Sequence, residues 1–169
     1  KEKVTLGRKL VGAGGSKLAI DCAWSGRSAV AGMPFGQICD DRYARKVAQS
    51  ILKECFDIAV ACGIRPAKVQ GHDVAKILGY KTAFKRLISY LLIPIAMKKH
   101  RALVSGMYYD LKAGKKCEID LVCGVVSDYG VRVCRPAILN GAVQKIAHEI
   151  EDGSRGISPD NLQVFKDYV

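Results

Sequence analysis

Apolar residues in this chain recur at three- and four-residue spacing and rarely alternate, a pattern that predicts helices nearly throughout. The clearest run is Tyr43, Val47, Ile51, Cys55, Ile58 and Cys62. Asp40-Asp41 supplies an N-cap before it, Gly63 is the expected stop, and Pro66 follows. A second long helix is predicted from about Ala83 to His100, bent or broken near Pro94. Shorter helices fit Ser105 to Ala113 and Glu118 to Tyr129, closed by Gly114 and Gly130. A last helix begins at Pro136, a favourable first-turn residue, and runs to Glu151 before Gly153. Val131-Arg132-Val133 is the one short strand candidate and is read as loop. The fold class that follows is all-α, one helical domain with antiparallel packing through short connections.

Composition narrows the function classes. At 169 residues, 49% apolar and 25% charged, the chain has the make-up of one globular domain with a proper core. Its seven cysteines (Cys22, Cys39, Cys55, Cys62, Cys117, Cys123, Cys134) form no C-x-x-C pair and read as buried thiols in a reducing cytoplasm. His72, His100 and His148 lack ligand spacing, so no metal is expected. Leu87 to Met97 is the most apolar window, but eleven residues interrupted by Pro94 cannot span a bilayer. A buried helix and no membrane partner are expected.

The formal net charge of +11 is uneven. Between Val74 and Tyr109 lie Lys76, Lys81, Lys85, Arg86, Lys98, Lys99 and Arg101, with no acid. Such a field draws anions, although a solvated helix face is the simpler account. Aromatics are not interleaved with these cations and no helix-turn-helix signature occurs, so nucleic acid is not an expected partner.

Two separated segments carry the most chemistry. The first is Lys17-Leu18-Ala19-Ile20-Asp21-Cys22-Ala23-Trp24-Ser25, in which residues i, i+4 and i+8 share one helical stripe. The second is Ser105-Gly106-Met107-Tyr108-Tyr109-Asp110, followed by Cys117-Glu118-Ile119-Asp120. In this order they resemble the ketopantoate reductases (2-dehydropantoate 2-reductases), which have a Lys-x3-Asn-x3-Asn helix, then Ser-Ser-Met and Thr-Glu-Ile-Asp. The run Glu151-Asp152-Gly153 through Asn161-Leu162 also fits that family's ending. The resemblance covers about Ser16 to Leu162 but only the second half of the family's enzyme. It implies a helical domain like the C-terminal domain of 6-phosphogluconate dehydrogenases, over residues 16–169. Residues 1–15 are then linker or the remnant of a missing Rossmann domain.

The resemblance further implies pantothenate biosynthesis in the cytoplasm and NADPH held mainly by that Rossmann domain. The implied partners are this N-terminal domain of the same protein, a small 2-keto acid and a second copy in a homodimer. Gly12-Ala13-Gly14-Gly15 lacks the βαβ context of a phosphate-binding turn and is read as linker. The chain begins at Lys1, as expected of an excised or processed domain.

Reduction of a 2-keto acid needs a proton donor at the carbonyl oxygen and polar groups at the carboxylate. The resemblance makes Lys17 the catalytic acid and Glu118 its carboxylate partner, with no cofactor contact from this chain beyond Glu118. Asp21, Ser25, Ser105 and Gly106 take the substrate-binding positions, Ser105 through its hydroxyl or Gly106 through its backbone N–H. Trp24 is expected in the core, and Asp110 and Asp120 as helix or interface polar residues.

Four asparagines of the family are replaced here, by Asp21, Ser25, Cys123 and Ile138. Asp21 repels an anionic substrate unless it pairs with Lys17 one turn away. The departures point to a changed substrate or weak activity. They also leave a second expectation, a helical interaction module that kept the fold and lost catalysis.

Overall fold

A computed structural model describes residues 13–64 and 79–169; the first twelve residues of the expected linker, Pro66, His72 and Lys76 lie outside them. Helix α1 (Ala13–Ile20) runs without a break into a π-helical stretch (Asp21–Gly26) and then α2 (Arg27–Ala31). Ala13 to Gly15, expected in the linker, form its first turn. The rod ends at Gly32, where φ is +68° and a side chain would be strained. Helices α3 (Phe35–Asp40), α4 (Arg42–Ala61) and α5 (Ala83–Ala96) follow, then a short 3₁₀ turn (Lys98–His100) and α6 (Gly106–Lys112). A second π-helical stretch (Asp120–Gly124) leads into α7 (Val125–Arg132). Helix α8 (Ile138–Glu151) and a 3₁₀ segment (Pro159–Tyr168) complete the order, with no strand among the described residues.

Helix α4 is the central element and matches its sequence pattern. The Asp41 carboxylate accepts from the Ala44 N–H at 2.6 Å, closing the N-terminal cap. Val47, Ile51, Cys55 and Ile58 are buried along the inner stripe, and Gly63 turns the chain at φ +72°. Each of the larger aliphatic side chains contributes about 1.5–3 kcal/mol by leaving water. Trp24, Val30, Ile38, Ile119, Val143 and Phe165 belong to the same buried core.

Arg27 crosses the core fully buried and donates to the carbonyls of Ala23 and Ala44, tying the first rod to α4. Burial lowers its guanidinium pKa to about 9. Glu54 on α4 accepts from the N–H groups of Leu139 (2.9 Å) and Asn140 (2.8 Å), capping α8 from a neighbouring helix. Its carboxyl pKa is raised by burial and held back by those donors. At the C-terminal end Asn161 donates to Val30 O (2.8 Å) and Gly156 O (2.9 Å), and Tyr43 to Leu162 O (2.9 Å). The family-like ending is therefore a strap fastened across the end of α2.

Three expectations need correction. Gly130 does not close a helix: α7 continues to Arg132, and a Cβ on Gly130 would stand 2.5 Å from Arg135 O. Close packing, and not a left-handed turn, requires glycine there; Cys134 makes the turn at φ +54°. Val131 and Arg132 are accordingly helical and not loop. Finally, α5 is largely exposed, with only Ser89 and Ile93 buried along its length. Pro94 sits within its last turn and ends it near Ala96 with little disruption.

Candidate functional site

Both chemistry-bearing segments come together where the two π-helical stretches meet. A π turn carries its hydrogen bond one residue further than an α turn and holds more residues per turn. The usual drift of an i, i+4 stripe is therefore offset after Asp21, and Lys17, Asp21 and Ser25 stay on one side of the rod. Close approach of the stretches requires small residues. A Cβ on Gly26 would meet Cys123 Sγ and Val143 Cγ1 at 3.1 Å, whereas one on Gly124 would meet only the far end of the Gln144 side chain on α8, at 2.9 Å.

Lys17 and Glu118 are exposed, and Asp21 and Ser25 half-exposed, at the rim of this contact. The Asp21 carboxyl has its pKa raised, first by partial burial. The Lys17 ammonium pulls it down and the Glu118 carboxylate pushes it up. Asp21 therefore lies within electrostatic reach of both a cation one turn away and an acid almost one hundred residues along the chain.

Helix α6 supplies the third wall, since it packs against the first rod. Ser105 is buried at its N-terminus, where its hydroxyl accepts from the Met107 N–H at 3.2 Å. Its own N–H donates to Ser28 Oγ at 3.1 Å. The hydroxyl is thus engaged in capping, while Gly106 is exposed with nothing within 4 Å of where a Cβ would stand. A larger residue would fit at position 106; backbone geometry does not require the glycine.

The other two departures, Cys123 and Ile138, differ in burial. Cys123 is fully buried beside Cys22, with Cys55 completing a cluster of thiols. Burial holds the Cys22 thiol protonated, well above its ordinary pKa. Ile138 is half-exposed at the first turn of α8, and the buried amide of that helix is Asn140, whose Nδ2 donates to Glu54 Oε2 at 2.7 Å.

Asp120, the second carboxylate of the Glu-Ile-Asp motif, has an interface role. Its Oδ1 lies 2.9 Å from His148 Nε2 and 2.7 Å from Gln144 Nε2. The other ring nitrogen of His148 lies 2.9 Å from Glu151 Oε2, and Glu151 Oε1 accepts from the Cys117 N–H at 2.8 Å. The imidazole pKa is raised by these two carboxylates, first of all by Glu151. This clamp holds the segment carrying Glu118 against α8. Only the His148 to Glu151 spacing was visible in sequence; the Asp120 contact crosses 28 residues.

A separate cleft of about 450 Å³ opens on another side of α4, between Ser50, Lys53, Glu54, Asp57, Cys134 and Arg135. None of the six sequence candidates lines it.

Comparison with known proteins gives two findings. The family model described as ketopantoate reductase PanE/ApbA C terminal matches residues 12–151. A crystal structure of a PanE/ApbA family ketopantoate reductase from Ralstonia eutropha JMP134 is similar in fold, with a TM-score of 0.66 and 25% identity over 84% of this chain. The match takes in 41% of that protein, so the chain spans less than half the length of its structural relative. No curated protein matches the chain.

Proposed function

Since this chain belongs to the ketopantoate reductase PanE/ApbA C-terminal family, we propose that it is the substrate-binding half of an NADPH-dependent 2-keto acid reductase. The observation that supports the reading is that Asp21 lies within electrostatic reach of both Lys17 and Glu118. In this reading Lys17 is the general acid and Glu118 is the acid on the facing segment, both within electrostatic reach of Asp21. Ser25 and the N–H of Gly106 are left to receive the substrate carboxylate, because the Ser105 hydroxyl already caps α6.

NADPH supplies the hydride. The described residues offer no strand followed by a glycine turn on which its phosphates could lie, so an N-terminal Rossmann domain would hold it. This chain then has two tasks at the carbonyl: to stabilise the developing oxyanion with the Lys17 ammonium, and to deliver its proton there. Asp21 sets a condition on the substrate. A carboxylate beside Lys17 lessens the attraction for an anion, and an acid with a second polar group suits the rim better than a simple 2-keto acid.

The test joins the chain to its cognate nucleotide domain and measures NADPH oxidation over a panel of 2-keto acids. Lys17→Ala is expected to lower kcat by about 10²–10⁴; undiminished turnover in that variant would exclude the general-acid assignment. The second reading, an interaction module without catalysis, is favoured by the inward-facing Cys123 and the engaged Ser105 hydroxyl. It predicts no turnover with any acid of the panel, with or without Lys17.

A further inference from the structure

The outer face of α5 carries a continuous apolar surface. Phe84 (72% exposed), Leu87 (55%), Leu91 (56%) and Ile95 (69%) follow one another at helical spacing, with Ile88 and Leu92 beside them. Leu103, half exposed, is a further open apolar residue beyond the following 3₁₀ turn. The opposite face is fixed to the body: Gln49 Nε2 donates to Arg86 O at 2.6 Å and to Ser89 Oγ, Tyr90 donates to Arg42 O, and Arg45 stacks 4.3 Å from the Tyr90 ring. Scattered exposed leucines need no explanation, but a contiguous stripe on an anchored helix marks an interaction surface.

Charge indicates the partner. Lys81 and Lys85 stand at one end of the stripe and Lys98 and Lys99 at the other, all exposed. No acid occurs anywhere from Val74 to Tyr109. A second copy is a poor match, because parallel and antiparallel pairing both bring lysine-bearing ends together with no acid of this stretch to offset them. The nucleotide half is a poor match too: α5 packs on α4, α3 and the 3₁₀ turn, away from the elements bearing Lys17 and Glu118, which that half must reach. An apolar stripe about 17 Å long, bounded at both ends by cations, fits the plane of an anionic lipid surface. The helix is too short to cross a bilayer, and no described helix is long and apolar enough to do so; lying in the interface needs no such length.

We propose that α5 docks the domain reversibly on anionic membrane surfaces, with Phe84, Leu87, Leu91 and Ile95 entering the headgroup boundary and the flanking lysines contacting lipid headgroups. This docking is independent of the reductase reading.

The test is co-sedimentation with phosphatidylcholine vesicles, with and without about one third phosphatidylserine, at about 0.15 M salt. Binding is expected to the anionic vesicles only. Each of Lys85→Gln and Lys98→Gln should weaken it about fivefold, and Leu91→Asp should weaken it at least about tenfold. These side chains are exposed, and an unchanged circular dichroism spectrum checks that each variant is folded. Absence of binding to anionic vesicles would overturn the proposal. So would binding that Leu91→Asp leaves intact, which would assign it to net charge alone. A dimer in sedimentation velocity that Leu91→Asp dissociates, without vesicle binding, would assign the face to a second copy. Loss of vesicle binding on joining the nucleotide half would assign it to that half.

Discussion

At position 21, replacing the carboxylate by an amide leaves side-chain size almost unchanged, so Asp21→Asn isolates charge. Because the folded pKa of Asp21 is raised, the folded state holds its proton more tightly than the unfolded chain does. The stability tied to that proton is present in acid and lost as pH rises past the ordinary carboxylate range. Asp21→Asn is therefore expected to raise Tm at about pH 7 and to leave it unchanged near about pH 3. In the joined enzyme the same variant should lower KM for simple 2-keto acids with kcat little changed. An unchanged KM would mean that Asp21 does not face the substrate. This residue was legible through the resemblance to the family's Lys-x3-Asn-x3-Asn helix, with the one-turn spacing setting it beside Lys17. The engagement of Ser105 was less accessible: a serine before a helix reads equally as cap or ligand, and only the burial of its hydroxyl separates the two.

Between elements, the clearest testable contact is the His148 clamp on the Asp120–Gly124 stretch. The folded pKa of His148 is raised, so its contribution is full below about pH 6.5 and is lost as pH rises through the folded value. Asp120 and Glu151 have lowered pKa values and contribute above the carboxylate range, losing this as pH falls. The clamp is strongest in mildly acidic solution. Melts at about pH 5.5 and about pH 8.5 should show the wild type losing stability relative to His148→Ala, by less than about 1 kcal/mol because the imidazole is exposed. Parallel melting curves would remove the clamp from the account. At this scale α4, its Asp41 cap and the Gly63 stop were legible because cap, stripe and terminator agree. The end of α7 was not legible. Gly130 resembles a terminator, yet it is glycine because Arg135 O passes over it, a contact that local pattern does not encode. Nor was the exposure of α5 legible, because an apolar run looks the same whether or not something covers it.

For the whole molecule, the helical class followed from the three- and four-residue spacing of apolar positions, and the C-terminal domain family from two motifs in the right order. What the motifs left open was how they meet. The chain alone is expected to show no reductase turnover, which a stopped assay with NADPH and the 2-keto acid panel checks directly. Turnover by the isolated chain would require a hydride donor site within it. The two π turns add a constraint on the whole assembly, for each is one residue out of step with the α-helix around it. Inserting one alanine after Leu18, in the α-helical part of the rod, would rotate Lys17 by about 100° relative to Arg27 and the core behind it, whereas the π stretch already absorbs one residue without such a rotation. The expected product is a folded domain with undiminished helical signal and, once joined to its nucleotide half, no turnover. In that sense the π stretch works as a phase setting: it is invisible to composition, and it keeps the Lys17 stripe in register although the rod carries one residue more.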